Sequence, residues 1–76
     1  MNFRDHIVSD HNILLGKPVI KGTRITVELI LRKLSQGTTI NELLSSYPNI
    51  TQEDVYAAFV YASKVIANEE VIDLAS

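Results

Sequence analysis

The sequence has no cysteine and no tryptophan, only three glycines and two prolines, and no uninterrupted apolar run of membrane-spanning length. Without cysteine there are no disulfides and no thiolate metal site, and the absence fits a reducing cytoplasm. A spanning helix needs roughly 18 consecutive apolar residues, so none is expected. The opening Met1-Asn2-Phe3-Arg4-Asp5-His6 has no apolar stretch resembling a signal peptide. The expected location is therefore cytoplasmic. No repeat, linker or low-complexity segment interrupts the chain, and its 46% hydrophobic content is too high for disorder. At 76 residues it reads as one domain over 1–76. A chain of that size buries a modest fraction of its surface and is marginal alone. Small domains without covalent staples rely on well-patterned helices or on oligomerisation, which points to a homodimer.

Positive charge is also in short supply. Seven lysines and arginines face nine carboxylates, a net charge of −2, which argues against a broadly basic nucleic-acid binder. The distribution says more than the sum. Residues 1–33 hold six of the cations (Arg4, Lys17, Lys21, Arg24, Arg32, Lys33) against three carboxylates; residues 34–76 hold only Lys64 against six. Such asymmetry either separates two surfaces for two partners or is an imbalance spread over a solvated exterior.

Residues 1–25 lack helical periodicity. Short apolar runs at Ile7-Val8, Ile13-Leu14-Leu15 and Val19-Ile20, punctuated by Gly16, Pro18 and Gly22, read as strands and turns. Lys21-Gly22 lies between Val19-Ile20 and Thr23-Arg24-Ile25, so a hairpin closed by Gly22 is expected there. The rest, 26–76, divides into three helices and a tail. Thr26 can cap a first helix whose Val27, Ile30, Leu31 and Leu34 share one face and which Gly37 ends. Thr39-Ile40-Asn41-Glu42 is a capping box for a second, with Ile40, Leu43, Leu44 and Tyr47 on one face and Pro48 as its stop. Thr51-Gln52-Glu53-Asp54 opens a third, with Ile50 placed to staple onto Val55. Its core stripe is Val55, Ala58, Phe59, Ala62, Val65 and Ile66, while Tyr56, Val60 and Tyr61 lie round its other sides. A helix apolar almost all round is buried on more than one side. Its second side must meet another subunit, the N-terminal segment or a partner protein. The fold expected is mainly α: a three-helix bundle of helix-turn-helix layout with a short N-terminal β-hairpin.

In a helix-turn-helix domain the third helix would offer its first turn to the major groove. That turn here carries Glu53 and Asp54, which DNA repels, and only Thr51, Gln52 and Tyr56 suit base edges or phosphates. DNA contact would then fall to Lys17, Lys21, Thr23, Arg24 and Arg32, with Gln52. The bland alternative leaves Gly16 and Gly22 as turn residues and the cations solvated; no Walker-type phosphate loop is present. His6 and His11 each follow an aspartate, but without a third strong ligand the pairs are better read as surface turns than as a metal site. No motif surrounds Ser9, and neither catalysis nor a cofactor is expected. Protein contacts are expected from Tyr56, Val60 and Tyr61 and from Val71, Ile72 and Leu74 in the acidic tail. That tail either extends the last helix or docks on a partner as an extended segment.

The segment Gly16-Lys17-Pro18-Val19-Ile20-Lys21-Gly22-Thr23-Arg24, with Tyr47-Pro48 and Ile50-Thr51-x-Glu53-Asp54-Val55-x-Ala57-Ala58, resembles the bacterial family called domain of unknown function 433. The resemblance runs over nearly the whole chain. It implies a homeodomain-type tri-helical fold and an antitoxin that binds a PIN-like ribonuclease toxin directly and represses its own operon by binding duplex DNA. A protein–protein module without DNA binding is the rival expectation.

Overall fold

The computed structural model describes residues 1–67, so the expected partner contacts Val71, Ile72 and Leu74 lie outside the described residues. A 3₁₀ turn at Phe3–Asp5 leads into strand β1 (Ile7–Val8), and a second tight turn at Leu14–Gly16 precedes strand β2 (Val19–Ile20). Helices α1 (Val27–Ser35), α2 (Ile40–Ser46) and α3 (Gln52–Ile66) follow. Three helices on a short two-stranded antiparallel sheet match the expected mainly α class.

The β-element differs in its pairing from the sequence expectation. β2 takes β1 as its partner, with Ile7 opposite Ile20 and Val8 opposite Val19. The Lys21–Arg24 turn does fold the chain back on the other side: the Ile20 amide donates to the Ile25 carbonyl at 2.9 Å, and Val19 bridges Thr26. β2 is thus central, flanked by both neighbours, which explains why Val19 and Ile20 are almost wholly buried. Gly22 carries φ +82°, the left-handed geometry that glycine adopts without penalty.

Each helix starts where its cap was read. The Thr26 hydroxyl accepts from the Leu29 amide, and reciprocal capping boxes join Thr39 to Glu42 and Thr51 to Asp54. Gly37, at φ +97°, follows α1 and turns the chain into α2. The core gathers Phe3, Ile7, Ile20, Ile25, Val27, Ile30, Leu43, Ile50, Val55, Ala57 and Ala58. Ala57 and Ala58 are adjacent in sequence and so point about 100° apart on α3. Both are fully buried, so α3 is covered on two sides, by α1 and α2 and by the N-terminal segment. Phe59, expected in that stripe, is instead 43% exposed, because the neighbours cover the flank carrying Ala57 rather than the one carrying Phe59. No helix among the described residues is long and apolar enough to cross a membrane.

Candidate functional site

Two surfaces stand out. The first is the basic turn between β2 and α1. Thr23 is committed to holding it: its hydroxyl donates to the Ile20 carbonyl at 2.8 Å and accepts from the Ile25 amide at 2.9 Å. Lys17 and Arg32, expected on DNA, both engage Glu28, with Lys17 Nζ 3.3 Å from Oε1 and an Arg32 guanidinium nitrogen 2.9 Å from Oε2. The hydrogen bond from Lys17 and then that from Arg32 hold the Glu28 carboxyl below the usual glutamate range. Lys21 and Arg24 are exposed at the tip of the turn and make no ion pair among the described residues. Gln52, at the start of α3, donates its amide to the Tyr56 hydroxyl at 2.6 Å. The structure thus divides the six expected DNA contacts. Lys21 and Arg24 are free on one turn, Lys17 and Arg32 share a carboxylate beside it, Thr23 braces it, and Gln52 stands apart on α3.

The acidic first turn of α3 is less of an obstacle than its composition implies. Asp54 Oδ1 lies 2.8 Å from His6 Nδ1, and its Oδ2 accepts from the Thr51 amide at 2.9 Å. Asp54 therefore faces inward, and Glu53 alone of the two is solvent-exposed. His6 meets Asp54 across 48 residues of sequence. Among the described residues no three His, Cys, Asp or Glu side chains converge to hold an ion.

The second surface is an open, almost wholly apolar groove of about 650 Å³ between α1 and the C-terminal half of α3. Pro18, Val27, Leu31, Tyr61, Ala62, Val65 and Ile66 line it, with Glu28, Arg32 and Ser35 at its polar edge. Of the expected partner residues that fall among the described residues, only Tyr61 lines this groove. Tyr61 and Val60 are half-buried against the core, and the Tyr61 ring meets Phe3 edge-on at 5.5 Å. Tyr56 is exposed elsewhere on α3, as is Phe59. The spacing of Leu31 with Val27 and of Val65 with Tyr61 carried the signal for the groove. Helical periodicity assigned Val27, Leu31 and Val65 to the core, which buries Val27 but only partly covers Leu31 and Val65.

The family model for proteins of unknown function 433 (DUF433) matches residues 7–62. The chain belongs to that family. It is 30% identical over 59 residues to an uncharacterized protein, y4eO, of Sinorhizobium fredii, a match covering 78% of this chain and 27% of that relative. The chain thus spans about a quarter of that curated relative's length. The crystal structure of a DUF433 member from Anabaena variabilis superposes with a TM-score of 0.79 at 31% identity, covering 86% of this chain and 64% of that one.

Proposed function

We propose that this DUF433 protein is a cytoplasmic, non-enzymatic antitoxin. It neutralises a PIN-like ribonuclease toxin by direct binding, and as a homodimer it binds duplex operator DNA. The observation carrying the protein-binding part is the open apolar groove between α1 and α3, since exposed apolar surface rimmed by polar groups marks interaction sites. DNA phosphates would be met by Lys21 and Arg24, with Lys17 and Arg32 added where phosphate displaces Glu28. Co-expression with the product of the neighbouring gene tests the antitoxin reading. Growth should be restored and a complex should co-purify; unrelieved toxicity with no complex overturns it.

The engagement of Lys17 and Arg32 by Glu28 favours a second reading, a protein-binding module without DNA. Salt titration of binding to the upstream DNA separates the two. Operator binding predicts a steep loss of affinity with salt, and a slope shallower by about two when Lys21→Ala and Arg24→Ala are combined. Absence of binding even at low salt removes the DNA role and leaves the toxin role standing.

A further inference from the structure

Lys17 and Arg32 are brought to one place by the backbone. Leu14 and Leu15, at φ +50° and +58°, and Gly16 at +85° wind left-handed, and the Lys17 amide closes the turn on the Leu14 carbonyl at 3.3 Å. The Pro18 carbonyl then accepts from the Val27 amide at 3.0 Å, which pins the end of the turn against the start of α1. Lys17 therefore reaches α1 beside Glu28, and Arg32 stands one helical turn further along the same face. Left-handed geometry is unfavourable for leucine, and burial does not offset it, since Leu15 is 87% exposed and Leu14 41%. Backbone strain of this kind clusters at functional sites, and what this turn delivers is Lys17.

Two cations converging on one carboxylate form a clamp for an oxyanion. Glu28 fills it, one carboxylate oxygen 3.3 Å from Lys17 and the other 2.9 Å from Arg32. Two cations and one carboxylate leave the cluster a charge of +1. All three side chains are 55–59% exposed, and pairs so exposed are weak enough to exchange. The same bonds hold the Glu28 carboxyl below the usual glutamate range, so it stays ionised at neutral pH and opposes any other anion. We infer that Glu28 is a built-in competitor for the Lys17–Arg32 clamp, standing where a backbone phosphate would bind and so holding down the affinity of the protein for duplex DNA. Phosphate takes the clamp only when the Glu28 side chain swings out, whereas Lys21 and Arg24, exposed on the adjoining turn, need no such exchange. The inference rests on the DNA part of the proposed function and names what regulates that site.

Fluorescence-anisotropy titration of the upstream DNA over a range of salt, with the wild type, Glu28→Gln and Glu53→Gln, tests it. Glu53 is an exposed acid on α3 that engages neither cation, so Glu53→Gln makes the same change in net charge without opening the clamp. Glu28→Gln should bind about tenfold more tightly than Glu53→Gln, because phosphate no longer has two exposed pairs to break. The cluster charge rises from +1 to +2, so the salt slope should steepen by about one. Both gains should vanish when Glu28→Gln is combined with Lys17→Ala and Arg32→Ala. All of these side chains are exposed, so the variants should melt close to the wild type. A Glu28→Gln protein that matches Glu53→Gln overturns the competitor and leaves the DNA reading standing. A gain that survives the loss of Lys17 and Arg32 overturns it too, because the clamp is then not its route. No binding by any of these proteins at low salt overturns both the inference and the DNA reading.

Discussion

Asp54 bonds two segments of the chain at once. One carboxylate oxygen accepts from the Thr51 amide and closes the capping box of α3, and the other meets His6 beside β1. With Asp54 only 14% exposed, each contact is worth about 1 kcal/mol or slightly more. Asp54→Ala should therefore destabilise by about 2 kcal/mol and His6→Ala by about 1 kcal/mol in urea unfolding. The double variant should cost less than the sum, because the shared contact is lost only once. Strict additivity would show that the two side chains do not interact. The cap was legible in the sequence because its partners are three residues apart. The His6 contact was not, because 48 residues separate the two and no local pattern reports such a pairing. The left-handed Leu14–Leu15 turn was hidden for a related reason: leucine carries no signal for positive φ, and only Gly16 beside it hinted at a turn.

At the scale of elements, helix starts were readable and packing directions less so. Thr26, Thr39 and Thr51 each cap the helix their spacing announced, since a cap is a contact within one turn. Thr39→Ala should cost about 1 kcal/mol and fray α2, which at seven residues has little propagation to draw on. The same box sets an acid sensitivity. The Thr39 backbone amide, and then its side chain, hold the Glu42 carboxyl below the usual glutamate range, and Lys17 with Arg32 do the same to Glu28. A folded-state pKa below the unfolded one gives stability that is present above the unfolded value and is lost as pH falls through the folded one. Stability should therefore drop on acidification below the ordinary glutamate range, and Glu42→Gln should flatten that drop in thermal melts between neutral and acid pH. An unchanged pH profile in Glu42→Gln would remove the box from the account. The packing of α3 was harder to read, because a helix apolar all round offers several equivalent stripes. Tertiary packing buried Ala57 and left Phe59 and Tyr56 half in water. The β-element was located correctly, yet the partner of β2 depended on β1, eleven residues upstream of it, rather than on the adjacent turn.

Over the whole molecule, a small core carries little reserve. Ile30 is fully buried where α1 meets the rest of the core, and its truncation to alanine should cost about 2–5 kcal/mol, a large share of the roughly 5–15 kcal/mol that holds a domain folded. The same chain leaves an apolar groove open beside a strained, exposed leucine turn. The proposed binding role accounts for a domain with so little to spare keeping both features. Of the cations in the basic N-terminal half, Lys21 and Arg24 are exposed on the turn between β2 and α1. The most direct measurement is inhibition of the purified product of the neighbouring gene. The antitoxin account predicts that this product cleaves RNA and that adding the protein abolishes cleavage at a stoichiometric ratio. Undiminished cleavage with the protein in molar excess would contradict it.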